Sequence, residues 1–130
     1  MAYDRRLAER VRDALKGQRG LTEKEMFGGI GFMLRGNMTC GVLEADLIVR
    51  VGPEQHEQAM LRRHVQPFLI RGAPAKGWVR VRPAGTRSDS QLQSWVEAAL
   101  TAAKRLPSKE TGRGAARVRS IGDRDGRRDR

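Results

Sequence analysis

The segment Glu25-Met26-Phe27-Gly28-Gly29 places two glycines directly after two bulky apolar residues. A glycine pair weakens a strand, because glycine loses the most backbone entropy on folding and contributes no side chain to packing. Its usual role is a bulge or a bend at which a Cβ cannot be accommodated. We therefore predict that a strand over residues 22–27 bends at Gly28-Gly29 and continues or restarts over residues 30–34.

Further strands are predicted on the C-terminal side of this bend. Gly36-Asn37 is a hairpin signal, since both residues accept a positive φ, and it leads into a strand over residues 38–43. Ala45-Asp46 forms a second tight connection into residues 47–51. Gly52-Pro53 then closes this part of the sheet and opens a short helix, because proline suits the first position of a helix.

The remaining elements follow from periodicity and capping. Apolar residues from Tyr3 to Leu15 recur at spacings of three and four, which indicates an N-terminal amphipathic helix. Residues 67–71 and 77–82 are predicted strands. Ser88 and Gln91 fit a capping box at the start of a last helix, which Pro107 ends. The inward stripe of that helix comprises Leu92, Trp95, Val96, Ala99, Leu100, Ala103 and Leu106.

The order of elements predicts the fold class. Short turns between the first three strands require antiparallel pairing. Three helices are too few to cover both faces of five strands. We therefore expect an α+β fold, a two-layer sandwich of a five-stranded antiparallel sheet with helices on one face, in the order α-β-β-β-α-β-β-α.

Length and composition limit the domain organisation. A chain of 130 residues has room for one ordinary core, which we place in residues 1–107. Residues 108–130 lack an apolar period and are predicted to be a disordered basic tail. We see neither an apolar run long enough for a membrane span nor a signal peptide. The single cysteine, Cys40, fits a reducing cytoplasm.

The charge balance suggests a polyanionic partner. The chain carries 26 Lys and Arg against 15 Asp and Glu, a net charge of +11, and residues 108–130 carry eight basic and four acidic residues. We expect weak, sequence-independent nucleic-acid binding through the tail. A compositional bias is the alternative, since Arg outnumbers Lys 21 to 5. The tail residues expected to contact nucleic acid are Arg113, Arg117, Arg119, Arg124, Arg127 and Arg128.

No catalytic, metal or cofactor site is predicted. Cys40 lies in an apolar strand without a neighbouring base, where free cysteine ordinarily acts as a small hydrophobe. His56 and His64 are about 12 Å apart along a helix, too far to share a metal, and we expect both to be solvated. Glu23 and Glu25 are predicted to form a solvated strand face.

Strand alternation predicts an interaction face. If Leu47, Val49 and Val51 face the helices, the residues between them face away, and the same argument applies to the last two strands. We expect Phe68 and Ile70 to face the core. The opposite face, an apolar and aromatic patch rimmed by arginines, is expected to bind a protein partner or a second copy of the chain. It comprises Ile48, Arg50, Leu69, Arg71, Trp78, Arg80 and Arg82.

Four motifs carry a resemblance to a known family. Met26-Phe27-Gly28-Gly29, Gly36-Asn37-Met38, Val49-Arg50-Val51-Gly52 and Lys76-Gly77-Trp78-Val79 resemble, in order and spacing, the amino-terminal domain of the TfoX/Sxy family, named for bacterial regulators of competence. The structural positions of the motifs are Met26, Phe27, Gly28, Gly29, Gly36, Asn37, Lys76 and Gly77.

The resemblance implies a non-catalytic role in transcriptional regulation. Its expected partners are proteins such as a transcription factor or polymerase, and it implies no cofactor. The named regulators have a second, helical domain, whereas this sequence has only a charged tail after Pro107. A general protein- or peptide-binding adaptor is the alternative, because the predicted layout is similar to that of secretion chaperones.

Overall fold

The computed structural model describes residues 3–109, which form an α+β fold with one six-stranded antiparallel sheet and three α-helices. The strand order in the sheet is β1-β2-β3-β4-β6-β5. A short 3₁₀ turn at Pro83–Gly85 precedes the last helix. The elements are α1 (Arg5–Ala14), β1 (Leu21–Met26), β2 (Gly29–Leu34), β3 (Asn37–Leu43), β4 (Asp46–Arg50), α2 (His56–Met60), β5 (Val65–Ile70), β6 (Ala73–Val81) and α3 (Asp89–Lys104).

The sheet has six strands, so the prediction of five was wrong. The error lies at Gly28-Gly29, where the expected bend is a complete hairpin turn. Met26 pairs with Gly29, and Phe27-Gly28 forms the two-residue loop between them, with φ values of 52° and 78°. Positive φ at both loop residues is typical of a type I′ turn, whose twist matches that of the flanking strands. Residues 21–34 are therefore two paired strands.

The next hairpin turn lies one residue earlier than predicted. Arg35-Gly36 forms the loop, with φ values of 52° and 83°, and Asn37 is the first residue of β3. The side chain of Asn37 is buried, and its Nδ2 donates a hydrogen bond to the carbonyl of Pro107 at 2.8 Å. Asn37 therefore fixes the chain after α3 to the start of β3.

The hydrophobic core lies between the sheet and helices α1 and α3. Leu47, Val49, Val79 and Val81 are buried on the strands. The predicted capping box at Ser88–Gln91 is confirmed, with both reciprocal hydrogen bonds present. The predicted stripe of α3 is buried from Leu92 to Ala103, while Leu106 lies beyond the helix and is 36% exposed.

The last two strands depart from simple alternation. The pairing of β5 with β6 shifts between Pro67 and Leu69. The ring of Phe68 consequently lies beside Trp78, with ring centroids 6.3 Å apart, and Ile70 is half exposed. The expectation that Phe68 and Ile70 face the core was wrong, because an irregular step in a strand reverses the facing of the residues that follow it.

Residues 107–109 run beside the β2–β3 turn. The amide of Lys109 donates to the carbonyl of Arg35 at 2.8 Å, and the Ser108 hydroxyl lies 3.4 Å from the same oxygen. Most of the predicted tail, residues 110–130, lies outside the described residues. Among residues 3–109, no helix combines the length and the apolar character needed to cross a membrane.

Candidate functional site: an apolar groove on the sheet

A concave groove of about 610 Å³ lies on the sheet face that carries Ile48 and Trp78. The β1–β2 hairpin forms one side of it and the β5–β6 hairpin the other, with β3 and β4 between them. Since residues of both hairpins line it, the sheet curves around the groove. The lining is almost wholly apolar and comprises Met26, Phe27, Gly29, Ile30, Met38, Gly41, Val42, Leu43, Ile48, Phe68, Leu69, Ile70, Arg71 and Trp78.

Glycines keep the middle of the groove open. Gly31 and Gly41 are directly paired across β2 and β3, and Gly41 is also paired with Ile48 of β4. A Cβ on Gly41 would lie 2.7 Å from the carbonyl oxygen of Ile30 and 2.9 Å from the Met38 Cε atom. The two strands therefore approach each other too closely for a side chain at Gly41, and the space above it belongs to the groove.

Phe27 stands at the tip of the β1–β2 hairpin in an unfavourable environment. Its side chain is 93% exposed although it contributes to the groove lining, and its φ is 52°. A left-handed conformation is costly for a bulky residue, and Asn, Asp or Gly is the usual choice in such a turn. The fold thus gains neither burial nor backbone stability from a phenylalanine at this position.

The opposite wall contains a stack of Phe68, Trp78 and Arg50. The guanidinium carbon of Arg50 lies 4.6 Å from the Trp78 ring centroid, and its Nε donates to the carbonyl of Met38 at 2.8 Å. Arginine above the face of tryptophan is attracted by the ring quadrupole. Burial lowers the pKa of Arg50 from its ordinary value. The stack fixes a cation at the margin of an apolar surface.

Asp46 binds two of the arginines on this face of the sheet. Its side chain is fully buried, and it accepts hydrogen bonds from Arg80 Nε at 2.5 Å and from Arg82 at 2.8 Å. Glu44 adds a 2.7 Å contact to Arg80. Burial by itself would lower the pKa of Arg80, but the hydrogen bonds and charges of Asp46 and Glu44 outweigh it, and the pKa is raised. Arg80 and Arg82 are thus largely neutralised within the fold.

Replacing Asp46 with alanine is expected to lower the free energy of unfolding by about 2 kcal/mol. The change leaves Arg80, only 22% exposed, without its buried acceptor, and such losses are expensive. The half-exposed Arg82 contributes less, because water screens it. Urea unfolding would measure the difference. Glu44→Ala is the matched control and should cost below about 0.5 kcal/mol, as its carboxylate is 74% exposed. Equal midpoints for the two variants would contradict this account.

The residues of the predicted interaction face occupy two environments. Ile48, Leu69, Arg71 and Trp78 line the groove, and Arg50 stacks on Trp78. Arg80 and Arg82 are held by Asp46 instead. Sequence reasoning missed the groove residues of the first hairpin and of β3, including Met26, Phe27, Met38 and Gly41. Gly28, which suits the second position of a two-residue hairpin turn, is the local signal that could have placed Phe27 at a hairpin tip.

Two other motif regions meet behind this wall. Gly77, with a φ of 89°, accepts hydrogen bonds from the amides of Val51 and Gly52 at 2.8 and 3.0 Å. Its own amide donates to His56 Nδ1 at 2.9 Å, so the prediction of a solvated His56 was wrong. Lys76 is exposed. These contacts join the end of β4 to the middle of β6 and position Trp78.

The other candidate groups show structural contacts. Cys40 is fully buried, and burial raises the pKa of its thiol to about 12, so that it is not a nucleophile near neutral pH. Glu23 pairs with Arg12 of α1, whose hydrogen bond lowers the Glu23 pKa, and Glu25 accepts from the Tyr3 hydroxyl at 3.2 Å. Within residues 3–109, no three His, Cys, Asp or Glu residues come together as metal ligands would.

The family model for the TfoX N-terminal domain matches residues 13–103 of the chain. This range contains both hairpins of the groove, the Asp46 cluster and the Gly77 contacts. No curated protein matches the sequence. The arginines predicted to contact nucleic acid, from Arg113 to Arg128, lie outside both the match and the described residues.

Proposed function

The chain belongs to the TfoX N-terminal domain family, and we propose that it is a non-catalytic binding module of transcriptional regulation whose groove holds an apolar segment of a protein partner. In the two-layer arrangement that we propose, α1, α2 and α3 share one face of the sheet, and the groove occupies the other. The site of action is cytoplasmic.

The single observation that carries the proposal is the placement of Phe27. Phe27 is unfavourable in two ways. Its apolar ring is 93% exposed to water, and its φ of 52° is a left-handed conformation that bulky residues rarely adopt. Leu69 and Ile70 are about half exposed across the groove from it. Exposed apolar side chains that gather around a concave apolar surface are typical of protein interaction sites. A bound apolar segment would cover all three.

A binding role also agrees with the chemistry of the described residues. The family is not a known enzyme family. Cys40, the one thiol, is buried with a pKa raised to about 12. The carboxylates of Asp46 and Glu44 are engaged in structural contacts, since they bind Arg80 and Arg82. The groove offers surface for binding and no nucleophile–base pair among its lining residues.

Affinity capture from lysates of its native cells tests the proposal. The full chain is expected to retain protein partners after nuclease treatment. The double variant Leu69→Ser, Ile70→Ser should recover about one tenth or less of the amount of partner, because truncation of a hot-spot residue commonly costs about 2 kcal/mol or more. Both side chains are half exposed, so the fold should tolerate the change. Partners that persist in the variant, or vanish with nuclease, would reject the groove as the binding site.

Nucleic-acid binding through the tail is the second candidate, favoured by the tail's net charge of +4. In the folded part, Asp46 and Glu44 already neutralise Arg80 and Arg82. Replacing Arg113, Arg117, Arg119, Arg124, Arg127 and Arg128 with glutamine should flatten the salt dependence of DNA binding, because each phosphate contact contributes about −0.9 to the log–log slope. Fluorescence anisotropy over a salt series measures this. An unchanged slope would place the contact in the folded domain.

A further inference from the structure

We propose that the segment held by the groove is acidic as well as apolar, with carboxylates that pair with Arg50, beside Trp78, and with Arg71, in the turn between β5 and β6. The inference rests on the proposed function and specifies its partner. It makes Arg50 and Arg71 the residues that select among apolar segments.

The arginines of the predicted interaction face fall into two groups. Arg80 and Arg82 are bound by Asp46, and Glu44 adds a second carboxylate to Arg80. Arg50 and Arg71, by contrast, have no carboxylate partner among residues 3–109. Arg71, in the lining, and Arg50, stacked on the lining residue Trp78, are therefore arginines that the described part of the fold leaves without a carboxylate.

Arg50 is arranged to receive a carboxylate. Its Nε donates to the Met38 carbonyl and its guanidinium carbon lies 4.6 Å from the Trp78 ring centroid, so two contacts restrain the guanidinium. The terminal nitrogens have no acceptor within the described part of the chain, and they can form a paired contact with two carboxylate oxygens. The lowered pKa of this partly buried group is consistent with a site in which an anion would be stabilising.

A protein segment fits the groove better than a small ligand does. A ligand confined to the groove would leave most of Phe27 exposed, since this side chain stands at the hairpin tip and is 93% accessible. An extended partner can cover Phe27, Leu69 and Ile70 together. A second copy docked face to face would bring Arg50 and Arg71 close to their own counterparts, and the chain already carries a net charge of +11.

The two cations are far enough apart to act separately. Arg71 belongs to the turn before β6, and Arg50 pairs with Trp78, five residues after the first residue of β6. At about 3.3 Å per residue, this separation is roughly 17 Å along the strand. Contacts more than about 10 Å apart usually contribute additively. We therefore expect the factors by which the two arginine variants weaken partner binding to multiply in the double variant.

Selection from a displayed library of random peptides, with the full chain as bait, tests the proposal. Peptides enriched by the natural protein should combine aromatic or aliphatic residues with Asp or Glu. Arg50→Gln with Arg71→Gln should abolish the enrichment of acids while apolar enrichment persists. Arg6→Gln with Arg19→Gln is the control, because it removes the same charge from exposed positions outside the groove and should leave the selection unchanged.

The affinity of one selected peptide gives the quantitative result. Fluorescence of Trp78, in the groove wall, reports binding, while Trp95 is buried in the core. Each arginine variant should weaken binding about tenfold and the double variant about a hundredfold, as expected for hydrogen bonds to charged groups. Circular dichroism checks that each variant is folded. Arg50→Gln removes contacts to Trp78 and Met38 and could alter the groove wall. Arg71 lies at an exposed turn position, so Arg71→Gln tests the inference independently of that effect.

The outcomes separate this inference from the proposed function. If the enriched peptides are apolar and their binding does not depend on either arginine, the inference of an acidic partner is overturned and the groove remains a binding site. Peptides that still bind Leu69→Ser with Ile70→Ser, or a failure to enrich any peptide, would overturn both. Self-association of the natural protein that the Leu69→Ser, Ile70→Ser variant loses would identify a second copy as the occupant and also overturn the inference.

Discussion

Replacement of Phe27 by asparagine is expected to weaken partner binding by about 30-fold and to leave the protein at least as stable. The loss corresponds to about 2 kcal/mol, which is typical of a buried aromatic anchor in an interface. Phe27 is 93% exposed in the free chain, so its removal forfeits almost no packing. Asparagine tolerates the φ of 52° better than phenylalanine does, which should add roughly 0.5–1 kcal/mol to the free energy of unfolding. Thermal unfolding and the affinity for a captured partner measure the two effects.

Leu61→Asn is the matched control for Phe27→Asn. Leu61 is 85% exposed and lies at the end of α2, away from the groove lining. If exposed apolar side chains on this protein merely adhere to partners without specificity, both variants should weaken binding equally. A specific groove requires that only Phe27→Asn does so. A marked fall in stability for Phe27→Asn would show that the phenylalanine serves the fold, and the argument for a binding site would lose its main support.

The helical parts of the fold could be predicted from sequence because their signals are local. The capping box of Ser88 and Gln91 and the apolar period of α3 are each contained within a few turns. The buried face of β4 also follows from alternation, since Leu47 and Val49 are regular strand residues without bulges. In these elements, local propensity and tertiary packing favour the same structure.

The groove could not be predicted to the same extent, because it depends on three departures from local rules. A phenylalanine occupies a turn position that favours asparagine, so the sequence predicts one bent strand where the structure has the first hairpin. The pairing shift after Pro67 turns Phe68 toward Trp78 and away from the core. Gly41 pairs with Gly31 from the neighbouring strand, and a Cβ on Gly41 would lie 2.7 Å from the carbonyl oxygen of Ile30, a contact that exists only in the folded sheet. Such departures are expected at functional sites.

Gly29→Ala is expected to lower the free energy of unfolding by about 3 kcal/mol, although Gly29 has an ordinary strand conformation. The reason is steric: an added Cβ would overlap the carbonyl oxygen of Val42 and come within 3.3 Å of a Leu43 methyl carbon. A backbone carbonyl in a paired strand cannot move away without loss of sheet pairing, and overpacking of this kind costs 1–3 kcal/mol or more. Urea unfolding monitored by circular dichroism measures the change.

Gly31→Ala provides the matched control, because it makes the same substitution two residues further along the same strand. There the new Cβ would meet the terminal Met26 and Met38 methyl groups at 3.2 and 3.3 Å, and flexible methionine side chains can move aside. We expect a change within about 0.5 kcal/mol, of either sign, since alanine also restricts the unfolded chain. Similar losses at the two positions would mean that glycine is needed for general strand flexibility. A loss confined to Gly29 would show that the close approach of β2 and β3, which shapes the groove, is what excludes a side chain.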